Sequence, residues 1–385
     1  MTANLLSEEK DLIERTLSWF RSNLPETWKI ESTSQTMASP GPSQFARTVD
    51  NLISITPPQG SGINFLVEAK SNFAPRDAER FLTGMARQLR VLNPNYPILV
   101  VTPWLSERAQ EVLTAEDINY LDFTGNVRIA LNYPSVFITS KGTSRNPQPS
   151  PRSAARLRGP KAGRLVRLLI DVTPPYGVSQ IADATGLALG YVSRILTSLD
   201  EDAIIERARR GQVVSVDVPQ LLRRWTQTYD IFKTNGTSSF VAPQGPESVL
   251  AALASAPSEF SNVIVTGSFS AVRFAPIAAP SLLILYSSEP TNLAKRLRLL
   301  PADRGSNVVL LNPFDEVVWV NSSEDSGVRY ASAGQTAADC LTGNGRMPAE
   351  GEALTTWMVD NESKWRAPSI SALNQTGNRI IDERS

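Results

Sequence analysis

At 385 residues, with 38 lysines and arginines against 38 aspartates and glutamates, the chain is long enough for two or three cores and carries no global field that would gather nucleic acid. It has no histidine and one cysteine, Cys340, which excludes Ser-His-Asp hydrolysis, Cys-His nucleophiles, internal disulfides and zinc sites built from His or Cys; a metal here would be a hard, oxygen-held ion, Mg²⁺ or Mn²⁺. No apolar run reaches membrane-spanning length and the first twenty residues are dotted with Glu8, Glu9, Lys10, Asp11, Glu14 and Arg15, so a soluble, cytoplasmic protein without membrane contact is expected.

In residues 1–24, Leu5, Leu6, Leu12, Ile13, Leu17 and Phe20 recur at helical spacing with charges between them, and Pro25 ends that helix. Strands are expected at 28–33, 48–55 and 63–69, the last two separated by Pro57-Pro58 and Gly60-Ser61-Gly62. A helix over 75–92, a buried apolar strand over 97–102, a helix over 106–113, a strand over 118–122 and a hairpin joining 127–131 to 136–139 follow. Elements mixed in this order predict an α/β or α+β domain over residues 1–141.

In that domain Asp50 begins one strand and Glu68-Ala69-Lys70 ends the next. Alternation puts Glu68 and Lys70 on one face, and a hairpin brings Asp50 beside them. Two acids and a lysine suit Mg²⁺- or Mn²⁺-assisted phosphodiester cleavage: Asp50 and Glu68 hold the ion, while Lys70 orients water and steadies developing charge. An exposed strand-end ion pair is the competing reading of the same residues. The pattern, an Asp followed by [DE]-x-K at a strand end, resembles the PD-(D/E)xK nuclease superfamily and implies a restriction-endonuclease-like domain. Members of that superfamily often place a substrate-facing glutamine on the following helix, where this chain has Gln88; Glu14 on the first helix is a further candidate acid.

Residues 142–163 read as a basic Pro/Ser-rich linker. Between Asp122 and Asp171 there is no acid, while Arg128, Lys141, Arg145, Arg152, Arg156, Arg158, Lys161, Arg164 and Arg167 supply nine positive charges, either a phosphate-tracking surface or a solvated basic run. Residues 164–233 then read as a winged helix-turn-helix. A first helix covers 165–172, and Pro174-Pro175 follows it. Ile181 and Ala182, then Val192, Ile195, Leu196 and Leu199, keep helical spacing around a Thr185-Gly186 break, with glycine supplying the positive φ of a steep turn. The second helix, 189–199, would lie in a DNA major groove with Tyr191, Ser193, Arg194 and Thr197 outward. A two-stranded wing over 204–216 would add Arg207, Arg209 and Arg210, and Lys161 and Arg164 approach from the basic side. A helix over 218–232, with Leu221, Leu222, Trp225 and Tyr229 on one face, closes this core.

A second linker is expected at 234–246, a third domain at 247–365 and a flexible tail at 366–385. In the third domain a strand ends in Gly267-Ser268 ahead of a helix, other strands run over 281–286, 307–311 and 316–320, helices run over 247–254 and 291–300, and a late helix holds Gln335, Ala338 and Leu341. The Gly-Ser turn is similar to that of nucleotidyltransferases. The next strand, Leu282-Leu283-Ile284-Leu285-Tyr286, lacks the Asp-x-Asp pair such enzymes need, so the resemblance implies a degenerate, non-catalytic copy. Taken together, Leu66-Val67-Glu68-Ala69-Lys70, the segment from Tyr120 to Ile129 with its Leu-Asp-x-x-Gly-Asn-Val-Arg-Ile core, and the segment from Val265 to Arg273 resemble long proteins grouped with the AbiEi-family antitoxins of type IV toxin-antitoxin systems. The resemblance implies a transcription regulator that binds double-stranded DNA, as most winged-helix repressors do in homodimeric form, represses its own operon and opposes a toxin encoded nearby. The alternative is a Mg²⁺- or Mn²⁺-dependent DNA nuclease of a defence system, targeted by its winged helix; a scaffold whose last domain binds a partner is a third reading.

Overall fold

The computed structural model describes residues 2–33, 51–144, 146–147 and 157–373. The chain divides into two compact units, one of residues 1–154 with 201–203 and the other of 155–200 and 204–385. Both are mixtures of helices and sheets.

The first unit opens with helix α1 (Thr2–Asn23) and an antiparallel meander of β1 (Lys29–Thr33), β2 (Asn51–Thr56) and β3 (Ile63–Ala69). Helices α2 (Pro75–Phe81) and α3 (Arg87–Leu92), joined by a π-turn at Leu82–Ala86, return the chain so that β4 (Ile98–Thr102) runs parallel to β3. Helix α4 (Glu107–Ala115), whose Ser106 cap accepts the Ala109 N–H at 3.2 Å, leads to β5 (Asn119–Asp122), parallel again. The hairpin β6 (Val127–Leu131) and β7 (Val136–Ser140) completes seven strands standing in sequence order. Parallel strands in mid-sheet must be covered twice, and the period-two pattern does it. Ile53, Phe65, Val67, Leu99, Val101 and Leu121 pack on Leu12, Ile13 and Phe20 of α1; Leu52, Leu66, Ile98, Val100 and Tyr120 pack on Ala78, Phe81 and Leu89 of α2 and α3 and on Leu113 of α4.

The second unit begins with α5 (Pro160–Asp171), α6 (Val178–Thr185) and α7 (Leu189–Glu201), then a hairpin of β8 (Ile205–Arg207) and β9 (Val213–Val216), α8 (Val218–Thr226) and α9 (Ile231–Thr234). Next come β10 (Gly236–Val241), α10 (Pro246–Ser255), β11 (Val263–Thr266), α11 (Ser268–Ala271), β12 (Leu283–Ser287), α12 (Pro290–Arg296), β13 (Leu300–Pro301) and β14 (Val308–Asn312). Strands β15 (Ser323–Asp325) and β16 (Val328–Tyr330) and helices α13 (Ala333–Leu341), α14 (Met347–Asp360) and α15 (Glu362–Trp365) complete it. The sheet is mixed, in the order β13-β10-β14-β12-β11-β16-β15. One face (Val263, Val265, Leu283, Leu285, Leu310) is covered by α10 and α12; the other (Ile264, Ile284, Tyr286, Val309, Leu311) belongs to the same core as α5 to α8, α13 and α14.

Several sequence expectations change. The 234–246 segment is no linker: its Gly236–Val241 portion is strand β10, paired with β13 and β14, although its Gly-Thr-Ser-Ser start carries no apolar alternation. The expected strand at 316–320 is a 3-10 turn, Glu316–Trp319, because Asp315 accepts the Val317 N–H at 2.9 Å and winds the Val-rich run into a turn. The expected helix over 218–232 breaks after Thr226, and Asp230 caps a separate α9 by accepting the Phe232 and Lys233 N–H groups, each at 3.0 Å. The basic linker gives way at Pro160 to α5, for which proline at the first turn is well suited. The tail is anchored as far as residue 373: Arg366, 7% exposed, donates to the Ile170, Leu169 and Val172 carbonyls that end α5. Among the described residues no helix is long and apolar enough to cross a membrane.

Candidate functional site

Between α6 and α7 the chain turns at Gly186, whose φ of +65° is left-handed, the conformation glycine takes without a Cβ penalty. Val192, Ile195, Leu196 and Leu199 bury one face of α7, which orients the other. Ser193 and Arg194 are exposed there, and Leu189 at its start is 57% exposed. Tyr191 is half-buried with the Arg194 guanidinium 5.5 Å from its ring centre; burial pushes its phenol up, against the pull of Arg194. Thr197, also half-buried, donates its hydroxyl to the Ser193 carbonyl at 2.9 Å.

The hairpin is held to the helices by two backbone bonds between Tyr176 and Val213 at 3.0 and 3.2 Å. Arg207 is spent locally: Nε donates to the Gly211 carbonyl at 3.1 Å and Nη1 to Thr197 Oγ1 at 3.4 Å, tying the hairpin turn to α7. Arg209 and Arg210 remain exposed at its tip.

The basic stretch is divided by folding. Lys141, Arg158 and Lys161 are exposed, and Arg145, Arg152 and Arg156 lie outside the described residues. Arg128 pairs with Asp117 at 2.8 Å. Arg164, expected to face phosphate, pairs with Asp315 at 2.9 Å, and that hydrogen bond leads the causes that raise its pKa. Arg167 is wholly internal, 1% exposed, and donates to Asp171, Gln335, Ser332 and the Val317 and Val320 carbonyls. The stretch 165–171 of α5 is buried on every side, charges included, and their pairing makes that tolerable.

In the first unit, alternation along β3 brings Glu68 and Lys70 together, with Nζ 3.1 Å from Glu68 Oε1. The same ammonium lies 3.4 Å from Glu9 Oε1 on α1. Glu9 was the acid to find, whereas Glu14 is exposed; five residues further along a helix points well away from the same face. Gln88 is exposed on α3, and no hydrogen bond joins it to Glu68 or Lys70. Asp50 lies outside the described residues. No group of three acidic or thiol ligands occurs among the described residues; Glu9 and Glu68 provide two oxygen donors of the hard type that suits Mg²⁺ or Mn²⁺.

The Leu-Asp-x-x-Gly-Asn-Val-Arg-Ile segment has a structural role. Asp122, 2% exposed, accepts from the Leu105 N–H (2.8 Å), Thr124 N–H (2.8 Å) and hydroxyl (2.8 Å), and Asn126 N–H (3.0 Å) and Nδ2 (2.7 Å). Asn126 Oδ1 in turn accepts the Gly142 N–H at 2.9 Å. A Cβ on Gly142 would collide with the Thr124 carbonyl, so glycine is required there by close approach.

In the second sheet, Gly267-Ser268 does follow β11 and open α11, but the Ser268 hydroxyl is buried and bonded to Glu350. Neighbouring β12 carries Tyr286, whose hydroxyl lies 3.0 Å from both oxygens of buried Asp339. Tyr229, Thr266 and Gln335 also donate to Asp339, at 2.6, 2.6 and 2.8 Å, and burial raises its carboxyl nonetheless. Comparison with family models, with curated proteins and with solved structures brings no match.

Proposed function

We propose that the second unit is a winged-helix DNA-binding module and that the protein is a transcription regulator, antitoxin-like in the manner of the AbiEi family. One observation carries the reading: α7, turned out by the left-handed Gly186, exposes Ser193 and Arg194, while the adjoining hairpin exposes Arg209 and Arg210 at its tip. Arg194 and Ser193 would reach base edges, and Arg209 and Arg210 the backbone or minor groove; Arg207 acts as a positioning residue. A homodimer on double-stranded DNA in the cytoplasm, autorepression, and opposition to a toxin encoded nearby belong to the same proposal, as does a degenerate nucleotidyltransferase-like role for the sheet that lacks an acid on β12.

Titration of labelled duplex DNA at several salt concentrations tests it. Arg209→Ala with Arg210→Ala lowers affinity for all sequences and reduces the slope of log affinity against log salt by about 2, one unit per lost phosphate contact. Arg194→Ala also relaxes sequence preference. An unchanged salt slope and preference in both variants would sink the reading.

A second reading rests on the Glu68–Lys70–Glu9 cluster at the end of β3: a PD-(D/E)xK-like deoxyribonuclease in which Glu68 and Glu9 hold Mg²⁺ or Mn²⁺, joined by Asp50, which precedes β2 in sequence. Such an ion supplies a Lewis acid for phosphodiester hydrolysis. Lys70 would hold and orient the attacking water. New strand ends that appear with Mn²⁺ and vanish in Lys70→Ala support this second reading, and ends that persist in Lys70→Ala exclude it.

A further inference from the structure

The second unit encloses a half-open cavity of about 570 Å³ that the proposed DNA contacts leave unused. Its size falls in the range of small-molecule sites, roughly 300–1,000 Å³. Leu168 of α5 and Val317, Trp319 and Val320 of the 3-10 turn and its end make an apolar floor. One wall is formed by Ala184 and Thr185, the last two residues of α6 before the Gly186 joint.

The charges at this cavity differ in how far they are committed. Arg164 and Asp315 neutralise each other at 2.9 Å, and Arg167 is consumed by its five internal partners. Arg329 of β16 makes one hydrogen bond, from Nη1 to the Ser261 carbonyl at 2.9 Å, and has no ion-pair partner among the described residues. Its planar fork therefore has donors to offer in a cavity that Trp319 also lines, and the two side chains together suit a flat aromatic anion. Exposed Glu316 lines the same cavity with its charge in solvent.

We propose that this cavity binds a small aromatic organic anion, its acid group on Arg329 and its ring against Trp319, and that occupancy is transmitted through Ala184 and Thr185 to α7. The transmission rests on the reading of α7 as a DNA-contacting helix; the binding does not.

The test uses the full chain and two planar dyes, anionic anilinonaphthalene sulfonate and cationic proflavine. The sulfonate dye is expected to bind saturably at one site with energy transfer from tryptophan. Arg329→Ala should weaken it about tenfold or more, and Ala184→Trp, which fills the wall, should abolish it; circular dichroism melts check that both variants fold. Saturating dye should shift affinity for labelled duplex DNA about fivefold or more in the wild type and not in Ala184→Trp. Sulfonate binding that never saturates, or that ignores both substitutions, overturns the site. Proflavine binding that excludes the sulfonate dye overturns the anionic class. Saturable dye binding with duplex affinity unmoved overturns the transmission. A chain that binds no duplex overturns the DNA reading, and the dye titration still decides the cavity.

Discussion

Arg167 and Asp171 stand one helical turn apart in α5, both 1% exposed or less, and the ion pair between them is 2.5 Å long. Burial pushes the Asp171 carboxyl up, and Arg167 pulls it back down. Removing one partner strands the other charge in the core, so Arg167→Met is expected to cost about 3–5 kcal/mol in denaturant unfolding. Asp171→Leu added to it should recover much of that loss, and a double variant no better than the single would mean that the pairing is not what matters. Three buried phenols make a second prediction at this scale. Burial raises Tyr176, Tyr229 and Tyr286 above the ordinary value of 10.0, and the Asp339 charge adds to the rise in the last two. The fold keeps these groups protonated where the unfolded chain ionises them. Their stabilisation is therefore complete below pH 10 and is lost as pH climbs from there through the raised folded values, by up to about 1.4 kcal/mol per unit for each phenol. Denaturant midpoints should fall steeply above pH 10, and less steeply in Tyr286→Phe; equal slopes would contradict the assignment.

Among the elements, the joint between α6 and α7 gives the clearest contrast. Gly186 has open space where a Cβ would stand but a left-handed backbone, so Gly186→Ala should cost about 1 kcal/mol through strain alone. Gly190, four residues on, also has open space but sits in the regular backbone of α7, and Gly190→Ala should stabilise by roughly 0.5 kcal/mol. Thermal melts that shift the same way for both would show that the joint does not demand glycine. This joint was legible in the sequence because the turn residue and the apolar spacing on each side are local signals. So was the meeting of Glu68 with Lys70, which needs only alternation. Neither Glu9 nor the pairing of Arg164 was legible: the first depends on which face α1 turns to the sheet, and the second on Asp315, 151 residues away.

For the whole second unit, the helical segment and the following sheet share one core. Tyr229 meets Tyr286 at 3.1 Å, Arg167 meets Gln335 at 2.7 Å, and Ile264, Ile284 and Leu311 belong to the same apolar cluster as Leu165, Leu222 and Trp225. Residues 247–365 alone would expose that face of the sheet and lose β10, so this fragment is expected to stay unfolded. Residues 157–373 should melt in one cooperative transition, as seen by circular dichroism; a cooperative melt for 247–365 would show that its sheet needs no help.

The sequence by itself determined the period of nearly every helix and strand, the Gly186 joint, the hairpin after it and the strand-end acid and lysine, because each follows from backbone geometry within a few residues. Tertiary structure alone decided what those elements meet. It made β10 a strand by pairing it on both sides, and buried Arg167 while leaving Arg158 and Lys161 in water. It also made Asp122 the anchor of a turn by bringing the Leu105 N–H, 17 residues back, onto its carboxylate. A side chain's charge is written in the sequence, but the partner that neutralises it is chosen by contacts between distant segments, and that choice separates a structural residue from a functional one.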